Sequence, residues 1–324
     1  MTHVRAWRIR LGLMVAALLG ATGVRAQTYP SQDIHFICAF PAGSGADVLV
    51  RYFAEKVRVL SSRTIIVENK TGANGEIAAE YTARSRPDGY TIFVHAPSTI
   101  AGNNWMMKKP PIDAARDLVI AGGVNQQPFM FAVAANSPVK SIAELTAIVK
   151  KKGEKASFAE SNVSGKVLGA LYSQAIGVAA VDVSYRTAND MLNDFSNGAL
   201  DFGVVDPVFA LSQAREGRIR NLATGTKARM AAIPDLPTMA ELGYPGVYIT
   251  SWFAAMVPRG TPDAVVRQIN AWFSDVGRME ETRKFLNQFG GDPFVITPEQ
   301  GQKLLEDNVR EWEGYVKAAK IEPQ

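Results

Sequence analysis

A two-domain α/β architecture, each domain a mostly parallel sheet flanked by helices, is what the sequence predicts, on three observations. Short β-rich runs alternate with amphipathic helical patterns, the mark of βαβ units and of a sheet covered by helices. Several of those runs are apolar throughout, as strands buried on both faces are. The chain has 324 residues, 47% of them hydrophobic, and even without a leader its roughly 300 residues exceed one typical domain.

The first element is that leader. Arg5, Arg8 and Arg10 precede an apolar stretch from Leu11 to about Gly23, and Val24-Arg25-Ala26 stands before Gln27. A basic start, an apolar middle and an A-x-A-like end are the parts of a secretory signal peptide, cleaved here after Ala26. About 13 apolar residues are too few for the roughly 20 of a membrane-spanning helix. Gln27 rather than cysteine follows the cut, so the mature chain is expected to be free of a lipid anchor and soluble in the periplasm. Residues 1–26 hold four arginines and no acid, so Lys+Arg falls from 35 to 31 in the mature chain and equals the 31 Asp+Glu. With no basic block beyond Lys150-Lys151-Lys152, no electrostatic footprint for nucleic acid remains. A single cysteine, Cys38, rules out an intramolecular disulfide, so stability must come from the core.

Candidate strands follow in order at 34–39, 64–67, 91–94, 129–133, 183–185, 202–205 and 248–253. Between them Leu49, Phe53, Val57 and Leu60 recur at helical spacing, as do Leu305, Val309, Trp312 and Val316, and both sets read as core stripes. Helix starts are marked by Ser141 with Glu144 and by Thr297 with Gln300, both capping-box patterns, and by Thr261-Pro262. Two stretches, 121–128 and 244–247, read as crossings between domains. They divide the chain into domain 1, residues 27–125 plus 248–324, and domain 2, residues 126–247, with a cleft between them where ligand sites prefer to lie.

Directly after the first strand comes Phe40-Pro41-Ala42-Gly43-Ser44-Gly45-Ala46-Asp47, leading into a helix near Val48. Small residues let a ligand approach the backbone, and a helix N-terminus offers free N–H groups and partial positive charge to an anion. The loop lacks a Walker Lys-Ser/Thr ending and the full GxGxxG spacing, so it suits a carboxylate better than a nucleotide phosphate. Alone, it reads equally as a tight turn. A second such loop, residues 157–166, precedes another helical pattern in the other domain, and two helix N-termini facing one cleft could clamp a dianion.

These segments also carry a resemblance. Phe40-Pro41 with the glycine-rich run and Asp47, Val67-Glu68-Asn69-Lys70 with Gly72-Ala73-Asn74-Gly75, and Pro87-Asp88-Gly89-Tyr90-Thr91 come in an order that continues through Val139-Lys140-Ser141, Tyr185-Arg186, Ala228-Arg229, Pro234-Asp235-Leu236-Pro237-Thr238, Ser251-Trp252 and Gly260-Thr261-Pro262. Across nearly the whole mature chain this resembles the Bug-type, TctC-like substrate-binding proteins of tripartite tricarboxylate transporters. The resemblance implies a two-lobed periplasmic-binding-protein (Venus-flytrap) fold, no catalysis, and partnership with a large and a small integral membrane subunit. It also implies ligand contacts from Phe40, Ala42, Gly43, Ser44 and Asp47, and from Ser161, Asn162, Ser164 and Gly165.

Two departures from the family pattern bear on the ligand. The segment after the third strand reads His95-Ala96-Pro97-Ser98-Thr99, where a small residue usually stands in place of His95. That histidine could hydrogen-bond a carboxylate or phenol, with Ser98 beside it, or be satisfied by nearby backbone. The second loop carries Glu160, Val163 and Lys166, and Lys166 could neutralise a distal carboxylate or point to solvent. Asp206 matches a family aspartate near the cleft, and Tyr185 and Arg186 a loop that borders it. Arg186 offers bidentate carboxylate geometry, with an inter-helix ion pair as the alternative.

The mature chain holds two histidines, His35 and His95, and shows no GxSxG, HExxH or CxxC motif, so neither an activated nucleophile nor a metal or other cofactor is expected. The expected function is capture of a small carboxylate, a di- or tricarboxylate or an aromatic acid, by a monomer that closes around it for uptake. The alternatives are a ligand-sensing protein feeding a signalling receptor and a secreted carboxylate-processing enzyme. His95 and Val163 tilt the ligand toward a planar or aromatic carboxylate.

Overall fold

Two sheets, the second built wholly from the stretch between the chain's two crossings, define the molecule in the computed structural model, which describes residues 29–249 and 251–323. The leader and its cleavage after Ala26 lie outside the described residues. In the first sheet β1 (Ile34–Cys38), β2 (Ile65–Asn69) and β3 (Thr91–His95) pair in parallel, with α1 (Gly45–Ser61) and α2 (Glu76–Ala83) as crossovers. After α3 (Pro97–Met106) and α4 (Ala114–Asp117), β4 (Leu118–Gln126) runs in the same direction. The chain then builds the second sheet from β5 (Met130–Ala134), β6 (Ser157–Glu160), β7 (Val181–Ser184), β8 (Phe202–Val205) and β9 (Ile219–Thr224). Helices α5 (Ile142–Lys152), α6 (Val163–Ile176), α7 (Leu192–Ser196) and α8 (Pro207–Arg215) connect them. It returns to the first sheet with β10 (Trp252–Pro258), α9 (Asp263–Arg278), α10 (Glu280–Gln288), β11 (Asp292–Pro293) and α11 (Pro298–Ala318).

The strand orders are β11-β4-β10-β3-β1-β2 and β7-β6-β8-β5-β9. In each sheet the strand that arrives from the other side is reversed: β10 lies antiparallel between β3 and β4, and β5 antiparallel between β8 and β9. The expected mostly parallel sheets are thus parallel at β1–β3 and β6–β8 and mixed where the chain crosses. Both sheets belong to one compact unit, residues 32–324.

Each core follows from the apolar runs. Phe36, Phe53 and Phe273 stack at 5.7 Å between centroids beneath the first sheet, and Phe158 stacks on Phe202 at 5.4 Å in the second. A fully buried aromatic of this kind contributes about 1.5–3 kcal/mol. Trp252 on β10 donates its indole N–H to the buried Asn308 of α11 at 2.9 Å, so the polar edge is satisfied.

Several boundaries differ from expectation. The stretch 121–128 is not a linker: it is strand as far as Gln126, and its glycines serve packing. A Cβ at Gly122 would stand 2.7 Å from Phe273 Cβ, and one at Gly123 1.9 Å from the Phe294 carbonyl oxygen. Only residues 127–129 cross. Residues 244–247 belong to the second sheet's side, where the Tyr244 hydroxyl bonds Thr146 at 2.9 Å and Val247 is buried. The Ile249 N–H still reaches Gly225 O, so the strand expected at 248–253 begins at Trp252. The two crossings touch through a 3.1 Å hydrogen bond from Gln127 N–H to Ser251 O. Strands β4, β6, β9 and β11 had no counterpart in the sequence reading.

Among the helix signals, Thr297 and Gln300 form the full reciprocal capping box. Ser141 caps α5, but the Glu144 carboxylate takes the Lys140 N–H instead of closing the box. Thr261 and Pro262 precede α9 without a side-chain cap, and Leu60 is exposed while Leu49, Phe53 and Val57 are buried.

Candidate functional site

The parallel strands of both sheets end at one cleft, the place where open α/β sheets bind ligands. The cleft encloses about 1100 Å³ and is lined from the first sheet's side by Phe40, Ser44 and His95 and from the second's by Asn162, Ser164, Arg186 and Asp206, all residues the sequence singled out. Ala42, Gly43, Asp47, Ser98, Ser161, Gly165, Lys166 and Tyr185 stand outside that lining.

Some of these outer residues build the site without facing it. Asp47 is buried, and its carboxylate accepts hydrogen bonds of 2.8 Å from the Gly43 N–H, Asn69 Nδ2 and Arg51 Nε. Burial alone would push this carboxyl up, but the bonds from Arg51, Asn69 and Gly43 outweigh it and hold the pKa at about 2. Asn69 also donates to Phe40 O at 2.9 Å. The aspartate and the asparagine of the Val-Glu-Asn-Lys segment therefore lock the 40–47 loop, with Gly43 at a left-handed φ of 81°.

The locked loop delivers α1 to the cleft. Ser44 caps it by accepting the Asp47 N–H at 3.3 Å, which leaves the N–H groups of Gly45 and Ala46, both lining the cleft, without a partner. Asn162 does the same for α6, accepting the Gly165 N–H at 3.0 Å and leaving those of Val163 and Ser164 open to the cleft. Gly165 must be small, because a Cβ there would lie 2.7 Å from Val204 O. Helix α8 also starts at the cleft, but its own cap is Asp206, whose carboxylate takes the Phe209 N–H at 3.0 Å. The N-terminal ends of α1 and α6 thus have neutral caps and unfilled N–H groups, the arrangement that binds an anion.

Charge is sparse. Among the described residues lining the cleft, Arg186 is the one cation and Asp206 the one carboxylate. Arg186 is exposed and makes no ion pair. Burial raises the Asp206 carboxyl against the pull of the Phe209 and Val208 N–H groups. Lys166 pairs with Asp182 at 2.5 Å, and the Tyr185 hydroxyl donates to Asp194 at 2.5 Å; neither is free for a distal carboxylate or phenol. Ser98 is buried in the first turn of α3.

His95, at the end of β3, is 3% exposed, and neither ring nitrogen completes a hydrogen bond. Burial holds the ring neutral, its pKa down at about 3 against an opposing pull from the Asn74 backbone. It packs at 4.7 Å against Phe40 and edge-on at 6.1 Å to Phe253.

The sequence reading missed the turn 71–75, which lines the cleft through Thr71, Gly72, Asn74 and Gly75. Here φ is positive at Gly72, Ala73, Asn74 and Gly75, at 124°, 46°, 52° and 86°. Left-handed Ala and Asn cost energy that functional sites commonly hold, and a Cβ on Gly75 would come within 2.5 Å of His95 Nε2. The Gly-Ala-Asn-Gly run was a usable signal. Asn125 and Gln213, also missed, line the cleft with buried amide oxygens that have no partner. Among the described residues no cluster of three His, Cys, Asp or Glu could hold a metal, and no helix is long and apolar enough to cross a membrane.

Known proteins share this architecture. BugT of Bordetella pertussis is 28% identical over 310 residues, 95% of each chain. The R. palustris protein Rpa4515, solved with adipate, superposes with a TM-score of 0.80 at 27% identity, over 91% of this chain and 100% of that one. The periplasmic binding protein BugD superposes at 0.76 with 27% identity, over 91% and 100%. The fold is therefore the two-lobed one of periplasmic binding proteins. The model of the tripartite tricarboxylate transporter family receptor, TctC, matches residues 49–321, and the chain belongs to that family.

Proposed function

We propose that this chain is an extracytoplasmic solute-binding protein that captures a small carboxylate in the inter-lobe cleft and delivers it to a tripartite tricarboxylate transporter. The observation that carries this is the pair of neutrally capped helix N-termini, α1 and α6, turned toward one cleft beside the unpaired Arg186. Backbone N–H groups recognise a carboxylate oxygen without chemistry, and the adipate held by Rpa4515 is a ligand of that class. Charge-assisted hydrogen bonds contribute roughly 1.5–3 kcal/mol each, so five or six of them, less an association cost of at least about 4 kcal/mol, support micromolar or tighter affinity.

In this reading residues 27–125 with 248–324 and residues 126–247 are the two bodies that close on the ligand. Residues 1–26 are removed on export to the periplasm, and the closed monomer is what a large and a small integral membrane subunit recognise. The experiment is a thermal-shift screen of residues 27–324, unfolded and refolded to remove co-purified ligand, against carboxylates, with amino acids and sugars as controls. A carboxylate-selective rise in melting temperature is expected; a response to sugars alone, or none to any carboxylate, overturns the proposal.

A further inference from the structure

The two helix ends that carry the carboxylate reading, on which this inference rests, differ in what is buried behind them. Behind the start of α1 lies Asp47, and its charge is balanced by Arg51, whose Nε stands 2.8 Å away. Behind the start of α6 lies Glu160, the last residue of β6 and 4% exposed. It is one of the residues that set the second loop apart from the family pattern.

Strand register fixes its surroundings. Ser184 of β7 is its partner across the ladder and hydrogen-bonds its carboxylate. A Cβ added at Gly165, in the first turn of α6, would stand 3.0 Å from Glu160 Cβ, so the side chain packs directly behind that turn. The charged neighbours are Asp182 of β7 and Lys166 of α6, already paired with each other at 2.5 Å. On the other flank β8 brings Gly203 and Val204, which carry no charge, and Arg186 lines the cleft instead. One cation thus stands against two carboxylates, and ionised Glu160 leaves a net negative charge behind α6.

Burial above all, reinforced by Asp182, raises the Glu160 carboxyl above the ordinary glutamate range, while Ser184, Lys166 and the Asn162 backbone pull the other way. Ser184 suits either form, since a hydroxyl donates to a carboxylate and accepts from a carboxylic acid. Ionised Glu160 draws on the same positive helix end that an incoming carboxylate would use, and like charges so placed disfavour each other. Protonated Glu160 leaves that end to the ligand. By linkage, a ligand favoured by this protonation must itself favour it.

We propose that capture of the carboxylate is coupled to uptake of one proton from solvent by Glu160, which acts through the α6 N-terminus without touching the ligand and makes affinity rise as pH falls.

The test is isothermal titration of the refolded 27–324 protein with adipate, malate and benzoate between about pH 6 and about pH 8, where such carboxylates are ionised. Buffers of different ionisation enthalpy yield the protons taken up per ligand bound. The wild type is expected to take up protons on binding and to bind about fivefold tighter at the acid end of the range. Glu160→Gln, which keeps the shape and a partner for Ser184, is expected to bind without proton uptake and at least as tightly at every pH as the wild type at the acid end. A merely structural role would weaken binding throughout and leave the proton count unchanged. Should Glu160→Gln fail to fold, Ser184→Ala supplies the readout: it removes a hydroxyl that holds the carboxyl down, so the pH of half-maximal uptake is expected to rise, and an unchanged one counts against Glu160. No proton uptake by the wild type, or the same uptake in Glu160→Gln, overturns the role of Glu160 while the carboxylate reading stands. If none of the three acids binds, the carboxylate reading falls and this inference with it.

Discussion

Asp47 shows how a residue can be indispensable to a site it never touches. It is buried, and four groups depend on it: the Gly43 N–H, Asn69, Arg51 and, through Asn69, the Phe40 carbonyl. Its folded pKa of about 2 is below the unfolded value near 3.9, so the stability it contributes is present above about pH 4. It is lost as pH falls toward 2, and amounts to about 2.6 kcal/mol. Asp47→Ala is expected to lower unfolding free energy in urea by about 2–3 kcal/mol near neutral pH and to remove the part of the acid transition that falls in that window. The sequence placed Asp47 in the loop but could not say that it faces inward, because Asn69, the partner that ties it to the Phe40 carbonyl, is 22 residues away. His95 was legible as an intrusion of bulk, while its lack of partners, like that of Asn125 and Gln213, depends on what the rest of the chain withholds.

Helix ends carry the binding proposal, and they allow folding and binding to be separated. Ser164 is the second residue of α6, where an acidic side chain favours the helix dipole by about 0.3–1 kcal/mol. Ser164→Asp is therefore expected to leave the melting temperature of the free protein unchanged or slightly raised and to abolish the carboxylate-induced shift in the same assay. A variant that melts lower but still responds to carboxylate would place the ligand elsewhere. Elements marked by local chemistry were readable, such as the Thr297–Gln300 box and the apolar runs of β1 and β3. The hinge assignment at 121–128 went astray because a glycine pair serves a flexible link and a tightly packed strand alike. The difference lies in Phe273 and Phe294, which approach from the far end of the chain. Strand β10 was placed too early because Ile249 is apolar for a different reason, burial near the second sheet, while Tyr248 is half-buried under Lys227.

At the scale of the whole molecule the two lobes meet at more than the crossings. Gly45 lies against Val208 across the cleft mouth, a Cβ there reaching 3.6 Å, and Leu211 of α8 packs on Gly290. The Ala231 N–H bonds Asp292 at 2.6 Å, and Arg215 donates to Gln288 O at 3.1 Å. These ties would hold the lobes together, and a ligand bridging both would add to them by shifting the population toward a closed form. Asp292→Ala should favour the open form, giving a larger radius of gyration by small-angle X-ray scattering without ligand and recovery of the wild-type value at saturation; an unchanged radius in both states would mean that closure does not depend on these contacts. The reversed strand between β3 and β4 has a consequence for how the molecule is made. All the strands of the second lobe come from one continuous stretch, so it can assemble from its own residues, whereas β3 and β4 lack their shared neighbour until the segment after Ser251 returns. Closing so long a loop is entropically slow. A newly made chain is thus expected to pass through a stage with one lobe formed and the other presenting two bare strand edges, when it is most exposed to aggregation and proteolysis.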